Sequence, residues 1–135
     1  MNPILRNILA VIVGLFVGSI VNMGLISISG SVIPPPAGID PSDLESLKTG
    51  MHLFEAKHFI FPFLAHALGT LVGAFVAAKV GATRKMALAL VIGFFFMLGG
   101  ISMITMVPSP TWFTVLDLVV AYLPMAWLGG ILGSK

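Results

Sequence analysis

Two residues sit in apolar surroundings and can still exchange a proton. His66 lies in a run free of Asp, Glu, Lys and Arg from His58 to Ala78, and Asp117 is the one charge between Met86 and Ser134. An imidazole beside a carboxylate is a minimal proton relay, and an ionisable group inside a membrane is costly enough to be a functional hypothesis by default. Asn22 is an amide side chain well inside the uncharged run from Asn7 to Ile39, and Ser102 and Thr105 lie near the end of another. The spacing predicts that Asn22, His66, Ser102 and Asp117 meet in one polar cluster. Two chemistries fit it. Asp117 can accept from His66, Asn22 and Ser102 in a network that fixes helix register. Or the cluster is a protonation or small-solute site.

The other histidines suggest a metal. His52, Glu55 and His58 read H-x-x-E-x-x-H. On a helix those positions spread over about 120° and do not converge. The zinc-protease spacing needs two histidines at i and i+4, which this is not. No metal and no cofactor is expected. There is no nucleophile elbow, phosphate loop or paired-carboxylate motif, so the expectation is that the chain is not an enzyme.

What must position these groups follows from composition. The chain has 135 residues, 58% hydrophobic and 9% charged, and its mean hydropathy is +1.09. Soluble domains carry about 25% charged residues. That excludes an ordinary soluble enzyme and a disordered tail. The net charge is +2, but the seven basic residues form no dense run, so nucleic acid is not an expected partner. With no cysteine there is no disulfide or thiolate metal site. The reading is one integral membrane domain over residues 1–135, with membrane lipids as its first partners.

A membrane helix needs about 20 mostly apolar residues. Breaks at the charges and at Pro108-Ser109-Pro110 predict four spans, about 4–29, 59–80, 86–107 and 111–133. The apolar core of the first exceeds the roughly 7–15 residues of a signal peptide, so it is read as a retained span. Arg6, Lys79, Arg84, Lys85 and Lys135 then share one side. The excess of Lys and Arg on the cytoplasmic side puts both termini in the cytoplasm and loop 30–58 outside. Counting in from the span boundaries, Asn22, His66 and Asp117 each lie roughly 9–10 Å deep on the outer side.

Loop 30–58 opens with Pro34-Pro35-Pro36, a stiff extended stretch. Asp40 followed by Pro41 reads as an N-cap with proline at the first helical position, and Asp43 complements the helix dipole. Leu44, Leu47, Met51 and Phe54 then form the apolar stripe of a short outer amphipathic helix lying over the bundle. Gly50 is its weak point.

Small residues recur every four positions: Ala10, Gly14 and Gly18 in the first span, and Ala65, Gly69, Gly73, Ala77 and Gly81 in the second. Lipid tails are as apolar as leucine, so helices associate by close backbone approach through such residues. The stripes predict helix contacts, within one chain or between chains. Gly129, Gly130 and Gly133 offer another close surface. Pro124 predicts a kink in the fourth span. Trp112 and Trp127 suit the two aromatic belts, and the Phe, Met and Leu residues face lipid or fill the bundle.

Three segments carry a resemblance. They are the stretch Pro34 to Asp43, the stretch Ala67 to Thr70 with Gly73 and Ala77-Ala78, and the turn Pro108 to Phe113. Together they resemble a family of small uncharacterised bacterial four-helix transmembrane proteins, over nearly the whole chain. The resemblance implies the four-span layout and a bacterial membrane, and it brings no activity, substrate or catalytic residue.

The fold expected is an all-α, four-transmembrane-helix bundle with a short amphipathic helix in outer loop 1. The function expected is that of a structural or accessory subunit of a homo-oligomer or larger membrane complex in the bacterial inner membrane. The alternative is a small proton-linked transporter or channel using the polar cluster.

Overall fold

The computed structural model describes residues 1–135. It contains helices α1 (Pro3–Val32), α2 (Leu44–Gly50), α3 (Ile60–Val80), α4 (Lys85–Met106), α5 (Thr111–Val120) and α6 (Leu123–Ser134). Single 3₁₀ turns at Met51–Leu53 and Ala56–Phe59 lead into α3. Four stretches are long and apolar enough to cross a membrane: Pro3–Val32, Ala56–Val80, Lys85–Met106 and Thr111–Ser134. The protein is a multi-pass membrane protein. One end of the bundle carries the 33–59 loop and the Pro108 turn and is here the loop end. The other carries both chain termini and the 81–84 turn and is the terminal end.

The helix limits have local causes. Asn2 caps α1 by accepting from the Ile4 amide at 2.8 Å, and Pro3 sits at the first helical position, where its missing N–H costs nothing. α1 and α4 each end two residues before a proline, at Val32 before Pro34 and at Met106 before Pro108. Ile33 and Val107 are forced to extended backbone because the next ring crowds the helical conformation. The α3–α4 turn is held by Asn7, whose Oδ1 accepts from the Ala82 and Thr83 amides while its Nδ2 donates to Thr83 Oγ1. Arg84 leads into α4 with a left-handed φ of 49°.

α3 is the central helix, touching α1, α4 and α6. α1 lies antiparallel to it. A Cβ on Gly14 would stand 2.6 Å from the Gly73 carbonyl oxygen, and one on Gly18 would stand 2.6 Å from that of Gly69. The predicted stripes of Ala10, Gly14, Gly18, Ala65, Gly69, Gly73 and Ala77 therefore meet each other within one chain, and all seven are buried. α6 runs parallel to α3, with Gly129 against Leu71 and Ala74 and Gly133 against Phe75 and Ala78. The core is correspondingly small-residued: Ala74, Ala77, Ala78, Ala89 and Ala126 around Ile92. The large apolar side chains point outward, as a bilayer solvent permits.

The kink expected at Pro124 is a full break: the fourth apolar stretch, Thr111–Ser134, is interrupted at Ala121-Tyr122, leaving α5 and α6. Pro124 is the cause, because it has no N–H to give the Val120 carbonyl and its ring crowds that turn. The loop helix starts later than Asp40 implies. Asp40 closes a turn on Ser42, and Asp43 is the cap, accepting from the Glu45 amide at 3.2 Å. That helix also ends early. Gly50 is packed under the Ile39 side chain, and the chain passes into a 3₁₀ turn. The Leu44, Leu47, Met51 and Phe54 stripe is therefore not one helical face. Leu44 is exposed, the other three are half-buried, and Phe54 packs edge-on against His58 and tilted against Phe59, with centroids 5.4 and 6.0 Å apart.

Candidate functional site

Three side chains meet in the loop-end half of the bundle. Asp117, one turn before the end of α5, is 2% exposed. His66 Nδ1 from α3 lies 2.9 Å from both of its carboxylate oxygens. The Tyr122 hydroxyl donates to Oδ2 at 2.9 Å. The His66 and Tyr122 rings stack, with centroids 5.7 Å apart and planes 27° apart. With a proton on His66 Nδ1, each carboxylate oxygen has a donor, in a setting where an unpaired carboxylate would be very costly. One edge remains open. The His66 side chain is 26% exposed, and its Nε2 makes no hydrogen bond within the chain.

The helix break builds this site. On a continuous helix, residues five apart point about 140° away from each other. Tyr122 follows Asp117 by five and still bonds to it, because the chain turns at Ala121-Tyr122 and swings the ring inward. Gly100 on α4 makes room: a Cβ there would overlap the Tyr122 hydroxyl. Sequence reasoning missed both Tyr122 and Gly100. The signal in the sequence is Pro124, whose break in the helix is what brings Tyr122 to Asp117.

The predicted quartet is half assembled. His66 and Asp117 meet. Asn22 does not join them: its Oδ1 is buried without a partner, and its Cβ packs against Gly69. Rows 65-69-73 and 66-70 of α3 lie on different faces, and α1 packs on the first while His66 belongs to the second. Ser102 is exposed, and the hydrogen bond recorded there is from Thr105 Oγ1 to its carbonyl. It stands two residues from Gly100, about 200° around α4, and so faces away from Tyr122. Thr70, one turn below His66, is wholly buried and has no partner for Oγ1.

The remaining histidine motif is structural. The Glu55 amide donates to His58 Nδ1 at 2.8 Å, closing the turn that starts the second span. No three His, Cys, Asp or Glu side chains stand close enough to share a metal ion. Two shallow apolar grooves mark the surface. One, about 180 Å³, lies between the starts of α3 and α5 beside Phe59 and Trp112. The other, about 270 Å³, lies between α1 and α4. Neither is lined by His66 or Asp117. No protein-family model, curated protein or solved structure matches the chain.

Proposed function

We propose that the chain is a non-enzymatic structural or accessory subunit of a homo-oligomer or a larger assembly in the bacterial cytoplasmic membrane. The observation that carries this reading is that the buried polar network is self-contained. Asp117 has both donors from its own chain, as a group that fixes helix geometry requires. The small-residue stripes are spent inside the chain, so contacts with partners fall to the outward apolar rows. On α1 the outward row clear of the terminal-end groove is Phe16, Ile20 and Met23, spaced by four and three and each more than half exposed.

Orientation belongs to the same proposal. Arg6, Lys79, Arg84, Lys85 and Lys135 gather at the terminal end, which the positive-inside tendency assigns to the cytoplasm, with the 33–59 loop outside. The resemblance to small bacterial four-helix proteins supplies the bacterial setting. Native mass spectrometry of the complex, gently extracted from its own membrane, tests the reading. A mass above the monomer is expected, and a heteromeric one would identify the process through the partner. A monomer in every lipid condition would overturn it.

A second reading has its own observation, the open Nε2 edge of His66 beside a buried carboxylate. That is the geometry of a proton entry point, and it supports a small proton-linked transporter. Asp117→Asn in proteoliposomes separates the two. Loss of a pH-driven flux with the fold intact favours transport, and no flux in either protein favours the structural reading.

A further inference from the structure

We infer that the groove between α1 and α4 holds an acyl chain of an anionic phospholipid, with the headgroup phosphate against Arg84 and Lys85 at its mouth. The groove is lined by Asn7, Ile8, Val11, Ile12 and Leu88 and is a shallow, open channel of about 270 Å³. α1 meets α4 where Ile92 and Phe96 come against Gly14 and Gly18. Nearer the terminal end the wall between the two helices is this groove. It opens on the side of a membrane-spanning bundle, so what fills it is lipid.

The lining takes hydrocarbon. Four of the five residues are aliphatic, and the fifth, Asn7, has both ends of its amide engaged by the 82–83 turn. That same clasp holds the turn to α1 at the groove mouth. Lys85 stands one helical turn before Leu88, and Arg84 precedes it. Neither forms an ion pair or a side-chain hydrogen bond. Arg6 spends its Nε on the Val80 carbonyl at 2.7 Å and keeps its terminal nitrogens.

Charge selects the lipid class. There is no Asp or Glu among residues 1–39 or 56–116, so nothing acidic from α1, α3 or α4 competes for these cations. Each Lys or Arg at a membrane surface strengthens binding to anionic lipid by roughly fivefold. The groove beside Phe59 and Trp112 has no such asymmetry. There Lys57 is paired with Glu55 at 3.6 Å, which makes it an internal control.

The test is native mass spectrometry from nanodiscs of equimolar phosphatidylglycerol and phosphatidylcholine. The full chain should retain phosphatidylglycerol preferentially. Arg84→Gln with Lys85→Gln should lower that retention by roughly 10- to 30-fold, while Lys57→Gln leaves it unchanged. Both replaced side chains are free of partners, so the fold is expected to survive, as circular dichroism would verify. Ile8→Trp, which fills the groove with the charges intact, should also displace the lipid. Equal retention of both lipids, or retention unchanged in the double variant or in Ile8→Trp, overturns the site. So does equal binding of soluble glycerol 3-phosphate, which would leave the acyl groove without a role.

Discussion

The two halves of the bundle are held together by different physics. In the terminal half, helices touch through glycine and alanine, and carbonyl oxygens stand where a Cβ would be: Gly14 against Gly73, Gly129 against Leu71, Gly133 against Phe75. No buried side-chain polar group is needed there. In the loop half the fourth span is broken, and Asp117, His66 and Tyr122 bridge α3 to α5 and to the start of α6. Close packing in lipid tolerates almost no added volume, whereas a hydrogen-bonded bridge tolerates shape change and fails when a partner is removed. The two halves should therefore break under opposite kinds of substitution.

The largest effect should come from adding volume in the terminal half. Gly73→Leu places a side chain against the Gly14 carbonyl oxygen, already 2.7 Å from the Cβ position, and against Ile92 at 3.2 Å. Neither backbone can retreat without separating α1 from α3. A loss of about 3 kcal/mol or more is expected, above the usual cost of overpacking, because backbone rather than side chain must move. Unfolding in mixed micelles measures it. Gly99→Leu is the matched control, since nothing lies within 4 Å of its Cβ position. Equal stability of the two variants would remove the packing half of the comparison.

Removing a partner in the loop half comes next. Asp117→Ala strands the His66 Nδ1–H and the Tyr122 hydroxyl, at a cost of about 1–3 kcal/mol. Asp117→Asn keeps one acceptor oxygen and should lose about 1 kcal/mol. Tyr122→Phe removes one donor and keeps the ring, for about 0.6 kcal/mol. If Asp117→Ala is as stable as the parent, the bridge does not hold the loop half.

Gly100 is where the two kinds of sensitivity meet. Gly100→Ala adds volume, yet the atom it meets is the Tyr122 hydroxyl, the tip of a side chain. The ring can swing away and give up its bond to Asp117. The expected loss is about 1 kcal/mol, and it should nearly vanish in a Tyr122→Phe background, where that bond is already absent. A double-mutant cycle reads this directly. Full additivity would mean that Gly100 acts by packing alone.

How much of this was legible in the sequence depends on which coordinate is asked for. Charge-free runs gave the number and limits of the spans to within a few residues, because the bilayer fixes helix length. Level along the bundle was legible as well: His66 and Asp117 meet. Azimuth was not. Asn22 and Ser102 lie near the same end, but helix rotation depends on packing faces, and the Gly14-Gly18 row turns Asn22 onto Gly69. The stripes gave the α1 and α3 faces and left open whether the contact was internal. Tyr122 reaches Asp117 only because Pro124 breaks the helix, and a broken helix changes which residues are neighbours.

The smallest effect concerns the other well-bonded carboxylate, Asp40, which sharpens the contrast with Asp117. Both accept two hydrogen bonds. Asp117 does so inside the bundle, Asp40 in the exposed loop, where Ser42 Oγ donates at 2.6 Å and the Ser42 amide at 2.9 Å. Those bonds from Ser42, its side chain first and then its backbone, hold the Asp40 carboxyl below its ordinary value of 3.8. A lowered folded-state value means that the turn's contribution is complete above the ordinary carboxylate range and is lost as pH falls through the folded value. Asp40 sits in water, so the effect should stay local. The protection of the Ser42 amide, relative to its intrinsic exchange rate at each pH, should fall below about pH 4, while the amides of α3 and α6 keep theirs. Asp40→Asn should abolish that pH dependence and leave the mixed-micelle stability of the bundle unchanged. A shift in bundle stability would mean that the loop does more than cover the end: it would be part of what holds the broken half together.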